Sequence, residues 1–139
     1  MIDGDVDQVG DGIVDERARG FDDRERRLAD HLAEPGLAVV ARFEDSALAV
    51  KKADADVEGI ATEFKSLTST EATDNTVLNA LNRGKRQSPH VVIDARGSGL
   101  TEPAAQHGIA RFFGTPHGHK LDTVRIVGDA FDVVHKRGN

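Results

Sequence analysis

The chain alternates short apolar runs with polar stretches, and the spacing of its apolar positions predicts a series of small elements. Between Phe21 and Ala33, Leu28 and Leu32 stand four apart behind Asp22 and Asp23, with Pro35-Gly36 as a stop, which predicts a helix. Leu37–Phe43 (LAVVARF) and Ser46–Lys52 (SALAVKK) are apolar but too short to separate strand from helix. Val57–Leu67 reads as one half-buried strand, with Ile60, Thr62 and Phe64 inward and Ala61, Glu63 and Lys65 outward. Thr73 or Asp74 then caps a helix carrying Val77, Leu78 and Leu81 that ends near Gly84. His90–Ala95 (HVVIDA) holds three β-branched residues in a row and predicts a central strand. Thr101, Glu102 and Pro103 open a helix reaching about Phe113, and a Gly114–His119 loop follows. Leu121–Val127 and Ala130–His135 form a strand pair across Gly128-Asp129. The sum is a small α+β fold, a mixed or antiparallel sheet with packed helices.

At 139 residues, the chain has the length of one ordinary domain, and no run approaches the roughly 20 apolar residues of a membrane span. There is no Cys, so disulfides and thiol catalysis are excluded. With no Trp or Tyr and six Phe, a stacking platform for single-stranded nucleic acid is disfavoured. Met1–Glu16 contains six acids and no Lys or Arg, unlike a secretory signal, so export is expected to depend on something outside this chain. The net charge of −6 is unevenly spread: 16 acids and 8 bases precede Gly59, and 8 acids and 10 bases follow from it. Five of the six His lie in that second part. Residues 1–20, Gly-rich and acidic, are expected to be a flexible linker, and 21–139 the folded domain. The Asp3, Asp5, Asp7 and Asp11 series fails as a calcium loop because Val9 stands where a ligand is needed.

Three constellations carry chemistry. Asp54 or Asp56 ahead of Glu63-Phe64-Lys65 gives two carboxylates and an ammonium, a set that can hold a divalent metal for phosphodiester cleavage and resembles the PD-(D/E)xK nucleases; a surface ion pair is the plainer reading. Lys65, Thr68, His90, Asp94 and Arg96 are expected to share one face, offering the base, the cations and the donor that a metal-free ribonuclease requires; a strand-end histidine beside a structural Asp94–Arg96 pair is the alternative. His117-Gly118-His119-Lys120 reads as a basic loop able to touch phosphate, or two imidazoles of an incomplete metal site.

Taken together, TEFKSLTS (62–69), a helix with Asn75 and Asn79, KRQSPHVVIDARGSGLTEPAA (85–105) and LDTVRIVGDAFDVV (121–134) resemble the C-terminal toxin domain of CdiA-type contact-dependent growth-inhibition proteins, in particular the tRNA-cleaving group. The likeness runs from about 54 to 135. It implies an α+β nuclease of the barnase, EndoU, colicin and RelE kind that cuts tRNA through the 2′-hydroxyl without metal or cofactor. It further implies the tail of a larger exported protein, acting in the cytoplasm of a target bacterium and blocked by a cognate immunity protein. By this resemblance Glu63 and Lys65 match the E-x-K strand and Asp94 and Arg96 the D-x-R strand end, preceded by Gln87 and His90. It implies phosphate and transition-state contacts for Lys65 and Arg96, proton transfer by His90, and orienting roles for Glu63 and Asp94. Thr68, Asn75, Lys85, Arg86, Lys120 and Arg125 are the substrate contacts expected beside them. A general acid is left unassigned, because no Tyr is present. The competing expectations are a metal-dependent DNase using Asp54 or Asp56 with Glu63 and Lys65, and a non-catalytic protein-binding module.

Overall fold

The computed structural model describes residues 5–42 and 53–137. The ambiguous run 46–52 lies outside them, as do Phe43 and Asp3. The chain divides into two compact units, Met1–Thr62 and Glu63–Asn139. It is an α+β protein: among the described residues the first unit packs one α-helix against its strands and the second packs two.

In the first unit, β1 (Val6–Val9) and β2 (Gly12–Asp15) form an antiparallel hairpin where a flexible linker was expected. The correction has a physical basis. Val14 pairs opposite Asp7 and is wholly buried, and the acidic residues around it are met by arginines. Arg26 bonds Asp7 and Glu16 at 2.8 Å each and Asp30 at 2.6 Å, which neutralises much of the acidity that suggested disorder. Helix α1 (Asp23–Ala33) starts in a capping box, with the Glu25 N–H donating to Asp22 and the Asp22 N–H to Glu25, and buries Leu28, Ala29, Leu32 and Ala33. β3 (Ala38–Ala41) resolves the ambiguity of the LAVVARF run as a strand, parallel to β2 and antiparallel to β4 (Ala55–Val57). The single strand expected over 57–67 is broken by a turn at Glu58-Gly59, and β5 (Ile60–Ser66) folds back on β4.

The second unit contains the later part of β5, then β6 (His90–Asp94), β7 (Thr123–Val127) and β8 (Asp132–Lys136). β5, β6 and β7 run parallel, and β8 closes the sheet as an antiparallel hairpin. Parallel neighbours require crossovers, which α2 (Asp74–Gly84) and α3 (Glu102–Phe113) provide. Thr101 caps α3 by accepting from the Ala104 N–H, with Pro103 in the first turn, as the sequence suggests. Val77, Leu81, Ile109 and Phe112 from the helices meet Val91, Ile93, Val124 and Ile126 from the strands in one core. The two helices approach so closely that a Cβ on Gly108 would stand 2.6 Å from Val77 Cβ, so only Gly fits there. No helix among the described residues is long and apolar enough to cross a membrane.

The register decides which side chains share a face. Glu63 lies beside Val91 and Lys65 beside Ile93, and neighbouring residues in a ladder project to the same side. Glu63 and Lys65 therefore project to the helix-covered face with Val91 and Ile93. Phe64, His90, Val92, Asp94, Thr123 and Arg125 occupy the opposite face. The inward and outward sets expected for β5 are not as the alternation suggested, since Ile60 is 50% exposed while Glu63 is buried. β5 passes from one unit to the next, so its burial follows different neighbours at each end.

Candidate active site

The residues expected on one face separate into three places. Glu63 and Lys65 form an ion pair of 3.2 Å on the helix side of the sheet, with the carboxylate buried and the ammonium partly so. The E-x-K spacing does put the two side chains together, yet it puts them on the face away from His90 and Asp94.

The second place is the C-terminal end of β6. Buried Asp94 accepts three bonds from Arg96: from Nε at 2.8 Å, from Nη2 at 2.9 Å and from the backbone N–H at 3.1 Å. This bidentate pair raises the Arg96 pKa against the opposing effect of burial, so the guanidinium stays charged. Asp129 accepts from the Gly97 N–H, which ties the turn after β6 to the β7–β8 connection. The same D-x-R geometry recurs at the end of β2. There Asp15, also buried, takes Nε, Nη2 and the backbone N–H of Arg17, and the Arg17 hydrogen bond lowers its pKa against the cost of burial. Two unrelated strand ends thus use Asp-x-Arg to stop a strand and satisfy a buried carboxylate. Thr68 lies exposed in the loop after β5. Asn75 lies at the start of α2, where its Oδ1 accepts from Arg111 Nη1 at 2.6 Å beside the Asp74–Arg111 pair.

The third place is the N-terminal end of β6 and β7, where most of the expected substrate contacts meet. The Pro89 carbonyl accepts the Asp122 and Thr123 N–H groups at 2.7 and 3.2 Å, so the segments leading into the two strands lie side by side. One of these segments brings Lys85 and Arg86, and the other His117, His119 and Lys120. Lys85 Nζ donates to Asn82 at 2.9 Å, and its pKa is lowered by desolvation and by the charges of Lys120 and Arg86. His90, half-buried at the start of β6, stands level with Thr123, and its Nδ1 is 2.9 Å from Thr123 Oγ1. Asp122 lies close by, its pKa lowered chiefly by the Arg137 hydrogen bond and in part by His90. Arg125 follows two positions along β7 on the His90 face, bound to Asp132 at 2.8 and 2.6 Å. β6 spans about 13 Å from His90 to Asp94, and Asn75 lies about 15 Å along α2 from Lys85. Lys85, Arg86 and Lys120 thus lie in the segments that lead into β6 and β7, ahead of His90 and Thr123, while Thr68, Asn75 and Arg96 stand at the other end of the sheet.

Of the carboxylates proposed for a metal, Asp54 lies 3.7 Å from Arg19 and Asp56 2.7 Å from Arg42 within the first unit. Among the described residues no three His, Cys, Asp or Glu side chains come together as a metal-holding group. Thr123 escaped the sequence reading because its pairing with His90 depends on a strand register over 33 residues.

Residues 51–133 match the family model of the contact-dependent growth inhibition CdiA C-terminal domain. Among solved structures, the chain is similar to a chain of the CdiA-CT/CdiI toxin and immunity complex from Burkholderia pseudomallei, with a TM-score of 0.64 and 17% identity over 88% of this chain and 98% of that one. At that identity the likeness is one of fold. No curated protein matches significantly.

Proposed function

This chain belongs to the contact-dependent growth inhibition CdiA C-terminal domain family, and from that premise we propose that it is a toxin domain that cleaves tRNA without a metal, by attack of the 2′-hydroxyl on the adjacent phosphodiester. The observation that carries this reading is the cluster of cations, Lys85 with Arg86 and Lys120, in the segments that lead into β6 and β7, which the Pro89 carbonyl holds side by side just ahead of the His90–Thr123 pair. Cations there hold the phosphodiester and offset the charge that builds on phosphorus. His90 transfers a proton, with Thr123 setting the ring's orientation. Arg125, on the same face, extends the path for the RNA backbone. By the family resemblance Lys65 and Arg96 also contact phosphate, and Glu63 and Asp94, each paired with its cation, orient them.

The local charge also accounts for how a chain of net charge −6 can engage RNA, because the acids outnumber the bases only before Gly59. The chain acts as the detachable tail of a larger exported protein, inside the target cell, and a cognate immunity protein blocks it. An immunity protein with an acidic surface over Lys85, Arg86 and Lys120 fits that charge best. A structure of the complex that leaves these three side chains open to solvent would refute this placement.

The reading is tested by incubating the purified chain with total tRNA and with plasmid DNA, each with and without EDTA. The expected result is tRNA cleavage that survives EDTA, with 2′,3′-cyclic phosphate ends. DNA nicking that EDTA abolishes would replace it with the metal-dependent nuclease.

A further inference from the structure

β8 is the last strand of its sheet. It pairs with β7 on one side, and among the described residues no strand pairs with its other side. Two bonds decide which of its residues face that open edge. One step beyond either end of the β7–β8 ladder, the Gly128 N–H donates to the Phe131 carbonyl and the Arg137 N–H to the Asp122 carbonyl. Bonded positions alternate along an antiparallel strand, so Phe131, Val133, His135 and Arg137 turn their main-chain groups to β7. Asp132, Val134 and Lys136 turn theirs outward. The side chains of these three project with Arg125, which stands opposite Val134, on the face away from the helices. Val134 is 58% exposed, the most exposed large apolar side chain among the described residues, and Asp132 and Lys136 flank it, both exposed.

An edge that offers outward N–H and carbonyl groups around an exposed Val is a template for another strand. Its charges decide which strand fits. Read antiparallel to itself about Val134, the sequence DVVHK sets Asp132 opposite Lys136 and Val134 opposite Val134. A slip of two residues in either direction loses both charge pairs, and a slip of one sets outward groups against inward ones. An in-register parallel pairing sets Asp beside Asp and Lys beside Lys.

We propose that β8 is a self-association edge, on which two copies of this chain pair their β8 strands antiparallel about a two-fold axis through Val134. Asp132, Val134 and Lys136 each exchange both main-chain bonds with Lys136, Val134 and Asp132 of the second copy. Arg125 already holds the Asp132 carboxylate at 2.8 and 2.6 Å, and Lys136 of the second copy joins that pair from across the seam. The sheets of the two second units thereby become one. Their Arg125 faces point the same way, with the two β7 strands roughly 14 Å apart. The contact is one strand wide, so the dimer is weak and forms with rising concentration.

The test is sedimentation velocity of the full chain over a concentration series, with amide hydrogen exchange at the two ends of that series. Wild type should shift from monomer to dimer. The outward N–H groups of Asp132, Val134 and Lys136 should gain protection as it does, while those of Val133 and His135, already bonded to β7, should change little. Lys136→Glu and Asp132→Lys should each weaken association about tenfold, because two pairs become repulsive in each. An equimolar mixture of these two variants should associate like wild type, since Asp and Glu of one chain then meet the lysines of the other. Val134→Pro removes an outward N–H that β7 does not use and should abolish the dimer while the chain still folds. Thermal melts check each variant, in particular Asp132→Lys, which also gives up the Arg125 pair. A wild type that stays monomeric throughout overturns the proposal. So does a dimer that leaves the three outward N–H groups unprotected, or one that folded Lys136→Glu and Val134→Pro chains form as readily.

Discussion

His90→Ala should reduce tRNA cleavage by about 10²–10⁴-fold while leaving the folded state close to wild-type stability. The side chain is half-buried at the first position of β6, outside the apolar cluster that closes the second unit, so its removal costs little packing. Its Nδ1 meets Thr123 Oγ1 at 2.9 Å, which orients the ring; Thr123→Val should then cost about tenfold, as a positioning residue that touches no reacting atom. The measurement is single-turnover cleavage of total tRNA, with the thermal melt of each variant as a folding check. A His90→Ala chain that cleaves at the wild-type rate would remove proton transfer from this end of the sheet. The D-x-R pair at the other end would then be the better place to look.

Phe112→Ala carries the largest expected loss of stability, about 3–5 kcal/mol. Phe112 is wholly buried, heads the large side chains of the core, and packs edge-on to Phe113 with ring centroids 5.4 Å apart. The cavity would open where α3 meets Leu121 and the strands, and the turn bearing His117 rests on the end of that same helix. Against a typical domain stability of about 5–15 kcal/mol, such a loss leaves the second unit marginal. Urea denaturation should show a midpoint lowered by that loss divided by the slope, with the slope itself little changed. A loss below about 1 kcal/mol would mean that the core does not close on this ring.

The helices were legible because their signals are local. Asp22 with Leu28 and Leu32, Thr73 with Val77 and Leu81, and Thr101 with Pro103 each place a cap and an apolar face within one or two turns. β6 was equally plain, since Val91, Val92 and Ile93 in succession suit a strand between two neighbours. The hairpin of β1 and β2 was missed because its acids read as a solvated tail, and the arginines that neutralise them come from α1 and the chain just before it. The face of β5 was misread for a related reason: alternation assumes one environment along the strand, and β5 has β4 beside its start and β6 beside its end.

By itself the sequence determined the α+β class, the three helices with their caps, the central strand and closing hairpin, the polar split between its halves, and the family resemblance that the family match upholds. These depend on propensity, periodicity and composition, which act over a few residues. Only the tertiary structure decided that Glu63 and Lys65 stand on the opposite face from His90. It alone set Thr123 beside His90 and, through the Pro89 carbonyl, brought the segments before β6 and β7 side by side, so that Lys85 feels the charge of Lys120. Register and crossover paths make those choices, and a shift of one residue in a ladder sends every side chain to the other face, an outcome settled by packing between elements distant in the chain.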